Sequence, residues 1–116
     1  MSLHKKKSVW REMVASKIKK KSGKVWKVVA ERITGPRQNL AEVNLSRLDR
    51  FTKDGEIVVI PGKLLAYGNI NHKVIVGALS FSQSAKKKVE AAGGKCMTLE
   101  EIAEKYQDGK KVRIIG

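Results

Sequence analysis

Acidic residues are scarce in this 116-residue chain: 11 Asp and Glu stand against 25 Lys and Arg, a formal net charge of +14. Like charges at that density repel one another, and a polyanion bound to them removes the cost. Nucleic acid is the expected partner on this ground, with an anionic membrane surface as the competitor. Cysteine occurs once, at Cys96, which excludes an intrachain disulfide and suits a reducing compartment. Only two histidines occur, His4 and His72, far apart and without cysteines or acids at ligand spacing, so no metal or other cofactor is expected. No apolar run approaches the roughly 20 residues of a membrane-spanning helix. The basic N-terminus is not followed by the apolar stretch of a secretory leader. The expectation is a soluble, cytoplasmic protein without a membrane role or a small-molecule substrate.

The six aromatic residues are few, and Trp10, Trp26 and Phe51 fall on apolar faces of the sequence pattern. A base-stacking surface of the single-strand-binding kind is therefore not expected. Recognition of RNA shape and backbone fits better. Catalytic groupings are missing too: no carboxylate pair is set apart for acid–base work, and Cys96 could act as a nucleophile only if the fold placed a base beside it, with only two histidines available. Pro61-Gly62-Lys63 lacks the spacing of a phosphate-binding loop.

What the chain does contain is an asymmetric charge and one apolar region. Residues 1–53 hold 15 of the 25 bases and four acids, so the excess lies mostly in the N-terminal half. Residues 1–7 read as a solvated basic arm. Trp10, Met13, Val14 and Ile18 recur at helical spacing and predict an amphipathic helix over residues 8–21. Trp26, Val29, Ala30 and Ile33 predict a second helix from Lys24 to Ile33, stopped by Gly35 and Pro36. Ser46 and Asp49 have the spacing of a capping box before a short helix carrying Leu48 and Phe51.

The apolar bulk lies between Glu56 and Gly94. A strand is predicted over Glu56 to Ile60, a turn at Pro61-Gly62-Lys63, and a strand-joining tip at residues 68–72. Val74 to Leu79 is apolar without a break and predicts a strand covered on both faces. Ser82 is placed to cap a helix ended by Gly93, and Thr98 with Glu101 opens a last helix. Val112 to Ile115 reads as a terminal strand. The whole, 1–116, reads as one small α/β domain: the arm, N-terminal helices over 8–34 and a β/α core over 43–116.

Several stretches resemble one family. Residues 32–44 (RITGPRQNLAEVN), Leu45-Ser46, Val59 to Leu65, Leu79 to Ala85, Ala91 to Met97 and the ending Gly109 to Gly116 are similar, in order and spacing, to the eighteenth large-subunit ribosomal protein of archaea and eukaryotes. The likeness covers about residues 24–116. It implies the fold of the bacterial fifteenth large-subunit protein, an irregular arrangement of small β-β-α turns. It also implies a structural role on large-subunit ribosomal RNA beside neighbouring ribosomal proteins, without catalysis.

The expected RNA contacts are Lys5, Lys6 and Lys7 of the arm, Arg11, Lys19, Lys20 and Lys21 of the first helix, Arg37 of the loop, Arg47 and Arg50, Lys63 and Arg113. Their charge would neutralise phosphates and release counterions. The alternative is a non-specific nucleic-acid-binding protein outside the ribosome.

Overall fold

The structure is a computed structural model that describes residues 2–36 and 40–116, with side chains from residue 9 onward. Its elements are α1 (Ser2–Ile18), α2 (Lys24–Thr34), β1 (Ala41–Asn44), α3 (Leu45–Phe51), β2 (Glu56–Leu65), β3 (Val74–Phe81), α4 (Gln83–Ala91), β4 (Lys95–Thr98), α5 (Leu99–Lys105) and β5 (Val112–Ile114). All strand pairs are parallel. The path runs β1-β2-β3-β4, and β5 joins the β1 edge of β2, alongside its first half.

Side chains alternate across a strand, so successive residues feed opposite faces. Val58, Ile60, Val74, Val76 and Cys96 enter one core with Leu45 and Leu48 of α3 and Ala85 and Val89 of α4. Val59 and Met97 enter the other with Val14, Ile18, Trp26 and Ile33 of the N-terminal helices and Ile102 of α5, and Ile57 and Ile75 pack against it. The unbroken apolar run at Val74 thus does face helices on both sides. Gly77 makes room for α5: a Cβ there would overlap the Ile102 side chain. Burial holds Cys96 as a packed thiol and pushes its pKa up to about 11.

Three expectations change. The first helix starts at Ser2 instead of Ser8 and ends at Ile18, because residues 2–7 hold good helix formers and no breaker. Of its predicted apolar face, Trp10 and Met13 are 50% and 56% exposed, while Val14 and Ile18 are buried, joined by Ala15, which that spacing did not include. The seam with the rest of the molecule is narrower than the spacing suggested.

The predicted turn at Pro61-Gly62-Lys63 is instead a bulge inside β2. Between Ile60 and Lys63 the register against β3 slips by one residue. Proline has no N–H to give a ladder, so the irregularity falls where a hydrogen bond could not form anyway. Gly62 lies so close to Ala41 of β1 that a Cβ would overlap its carbonyl.

The tip predicted at 68–72 does not join an antiparallel pair. Residues 66–73 carry the chain back along the sheet so that β3 can run parallel to β2, a connection usually made by a helix. The return segment leans on α3 instead. The Ser46 amide donates to the Tyr67 carbonyl at 3.1 Å, and the Asn71 amide donates to the Asp49 carboxylate at 2.9 Å. Asp49 is therefore not a capping residue. The N-cap of α3 is Asn44, whose side chain makes no capping bond.

The caps of α4 and α5 match the sequence. Ser82 Oγ accepts from the Ala85 amide, and the Gly93 and Gly94 amides close the end of α4 on Glu90 and Val89. Thr98 and Glu101 form the reciprocal capping box of α5. The Thr98 backbone bond holds the Glu101 carboxyl below its usual range, and the Arg113 guanidinium does the same for Glu56. Both groups favour the charged form in the folded state. Their contribution is therefore in place above the ordinary carboxylate range and is lost as pH falls through the lowered values. Thermal melts from pH 6 to pH 2 should show the midpoint of Glu56→Gln converging on wild type as the pH drops. A constant gap would exclude this linkage.

Candidate nucleic-acid interface

The predicted basic residues divide into those the fold uses and those it leaves free. Arg11 reaches from α1 to the end of α2, where its guanidinium donates to the Ile33 and Gly35 carbonyls at 3.3 and 3.4 Å. It supplies the cap that Gly35 does not, since Gly35 keeps an ordinary negative φ of −76°. Lys21 pairs with Glu104, and Arg113 pairs with Glu56 at 2.7 Å while also donating to the Phe51 carbonyl at 3.1 Å. Lys17, not singled out in the sequence, pairs with Glu100 at 3.0 Å. Part of the N-terminal positive excess is thus balanced internally by the acids of α5.

Lys19, Lys20, Arg47, Arg50 and Lys63 are exposed, and none of them takes part in an ion pair among the described residues. Arg47 and Arg50 lie on α3, and Lys63 lies on β2 in register with Glu42 of β1. Lys19 borders a shallow cleft between α1 and α2 that Lys27, Glu12 and Glu31 also line. Lys5, Lys6 and Lys7 fall within the first turns of α1, but their side chains lie outside the described residues, as does all of Arg37.

The Lys86-Lys87-Lys88 run is not uniform. Lys88 Nζ donates to the Ala66 and Gly68 carbonyls at 3.0 and 2.9 Å and braces the return segment, while Lys86 and Lys87 are exposed.

Exposed aromatics are the feature that the sequence pattern missed. Phe51 is 50% and Tyr67 74% exposed. Phe51 follows Leu48 by three residues, which assigned it to the buried side. The helix ends there, however, and Leu48 alone enters the core. The usable signal was Arg47 four residues ahead of Phe51, since i, i+4 side chains meet on a helix. The Arg47 guanidinium carbon sits 5.8 Å from the centre of the Phe51 ring.

His72, expected to be isolated, has an acid at its side after all. Its Nδ1 lies 3.2 Å from Asp49 Oδ1, and its Nε2 lies 2.7 Å from Thr52 Oγ1. This acid–imidazole–hydroxyl line resembles a nucleophilic triad in order, but Thr52 is buried and its hydroxyl donates to the Leu48 carbonyl at 2.6 Å. A hydroxyl committed in that way cannot attack a substrate, so the line works as a strut between α3 and the return segment. Among the described residues no three His, Cys, Asp or Glu side chains gather as a metal ion would need.

The family model described as "Ribosomal protein 60S L18 and 50S L18e" matches residues 13–116. The chain belongs to this family. The match begins earlier than the resemblance at residue 24 and takes in the buried part of α1. Curated relatives agree. The large ribosomal subunit protein eL18 of Methanothermobacter thermautotrophicus is 47% identical over 91 residues, covering 78% of this chain and 75% of that one. Its counterpart from Archaeoglobus fulgidus is 43% identical over 104 residues, covering 90% and 89%. The Pyrobaculum aerophilum protein is 46% identical over 94 residues, covering 81% and 77%. The family consists of ribosomal structural proteins, not enzymes, in keeping with the committed Thr52 hydroxyl. No helix among the described residues is long and apolar enough to cross a membrane.

Proposed function

We propose that this chain is a structural constituent of the large ribosomal subunit in the cytoplasm, where it binds and stabilises folded ribosomal RNA through phosphate contacts. The ribosomal role follows from the family. The observation that carries the RNA contact is the set of exposed cations Lys19, Lys20, Arg47, Arg50 and Lys63, outside any ion pair among the described residues, on an α/β body that positions their elements. Rigid placement lets charge read the shape of an RNA without a base code. Lys5, Lys6, Lys7 and Arg37 add to the same positive charge, and neighbouring large-subunit proteins complete the surroundings.

The rival is a charge-driven binder indifferent to the nucleic acid offered. The test is competition at matched salt between protein-free large-subunit ribosomal RNA and duplex DNA of equal phosphate concentration. Retention of the RNA complex against excess DNA is the expected outcome. Equal displacement by both would favour the non-specific binder.

A further inference from the structure

We propose that Phe51, with the Arg47 guanidinium 5.8 Å from its ring centre, is a stacking platform for an unpaired nucleobase of the bound RNA. This inference rests on the reading that the chain binds ribosomal RNA, and it adds a contact of a different kind to the phosphate contacts. The reversal of the sequence expectation starts from burial. α3 already sends Leu45 and Leu48 fully into the core, so the fold does not need Phe51 there. A ring left half exposed in the free protein remains available to a partner.

The platform is held in place from three sides. The Phe51 carbonyl accepts from Arg113, which is itself clamped on Glu56. Thr52, the next residue, is buried and bonded to Leu48 and His72. Arg47 contacts the ring from one turn earlier in the helix. A base stacking on such a site meets a surface that has little conformational freedom left to lose.

The chemistry around the ring selects the partner. Arg50 and Lys53 are exposed close to Phe51 in the chain, and the Arg47 guanidinium lies within cation–π range of its ring. The one acid within α3, Asp49, is drawn inward onto Asn71 and His72. The solvent side of the helix is therefore aromatic and cationic together. Unpaired bases stack on aromatic rings and on guanidinium planes, and their phosphates sit among such cations. An apolar protein surface would have to desolvate these charges without pairing them. Tyr67, whose carbonyl is bonded to the Ser46 amide, is exposed near the other end of α3 and extends the same character.

The test compares the full chain with Phe51→Leu, Phe51→Trp and Arg50→Gln in binding to protein-free archaeal large-subunit ribosomal RNA over a range of salt. Phe51→Leu should bind on the order of ten-fold more weakly at every salt concentration, as lost stacking would give. Its slope of log affinity against log salt should be unchanged, because no counterion is involved. Phe51→Trp should bind as wild type does. Arg50→Gln should lower the slope by about one.

Thermal melts establish that each variant is folded, and Phe51→Met supplies the same contrast if the leucine form is unstable. Wild-type affinity in Phe51→Leu overturns the platform while leaving the RNA reading intact. A loss that Phe51→Trp fails to restore overturns it too. So does unaltered RNA binding combined with poor incorporation into reconstituted subunits, which would assign Phe51 to a protein neighbour. Failure of the wild type to bind the RNA at any salt removes the RNA reading itself and the platform with it.

Discussion

Raising monovalent salt from 50 to 200 mM should weaken the complex with large-subunit ribosomal RNA by about a thousand-fold or more. Each phosphate neutralised by Lys or Arg releases condensed counterions, so six or more contacts give a loss of that order. Lys19, Lys20, Arg47, Arg50 and Lys63, exposed and outside any ion pair among the described residues, can supply that number with exposed neighbours such as Lys27 and Lys53. The structure also ranks them. Reversal of Arg50 or Lys63 to Glu should reduce the salt slope by about one or more each. Lys21→Gln should leave it nearly unchanged, because Lys21 is already committed to Glu104. Filter binding at five or six salt concentrations separates the cases. A slope near zero, or one that falls equally for Lys21 and Arg50, would remove phosphate neutralisation as the driving force.

Trp26→Ala should cost about 3–5 kcal/mol of folding stability, a large share of what a domain of this size has. Trp26 is fully buried between the N-terminal helices and the sheet, and its indole Nε1 donates to the Tyr106 carbonyl at 2.9 Å. Truncation opens a cavity and removes one of the two donors of that carbonyl, which keeps the Gly109 amide at 3.0 Å. Trp26→Phe keeps most of the volume and loses the bond, so it should cost less, about 0.5–1.5 kcal/mol for one hydrogen bond to a carbonyl that keeps the Gly109 amide, plus a smaller packing loss. Urea unfolding followed by far-ultraviolet circular dichroism measures both. Equal midpoints for wild type and Trp26→Ala would mean that the N-terminal helices are not part of the cooperative unit.

Elements defined by local chemistry were legible in the sequence: α4 and α5 from their caps, β3 from its unbroken apolar run, and α2 from the spacing of Trp26, Val29, Ala30 and Ile33. Features set by distant contacts were not. Pro61-Gly62 has the composition of a turn, but pairing with β1 and β3 keeps the chain extended through it. Gly68 to His72 has the composition of a hairpin tip, but strand direction depends on partners that a local window does not contain. Asp49 fitted a capping box by spacing, while its real partners lie some twenty residues ahead.

The candidate interface was legible only as a pool of charge. Sorting Arg11, Lys21 and Arg113 from Arg50 and Lys63 required the carbonyls and carboxylates of other elements. Phe51 was assigned inward by its period, because periodicity cannot see where a seven-residue helix runs out of core.

The packing of the N-terminal helices on the last third of the chain has a consequence for synthesis. Gly23 is bonded to Gln107, Trp26 to Tyr106 and Lys21 to Glu104, and Ile18 and Ile33 share a core with Ile102 and Val112. Residues made earlier are thus anchored by residues made some eighty positions later. While the nascent chain emerges, α1 and α2 lack the surface that orients them, so their lysines form a loose polycation. Completion of α5 and β5 turns that polycation into a shaped one. On the proposed function, selectivity for a folded RNA over other polyanions depends on α5 and β5 being in place to orient the N-terminal helices.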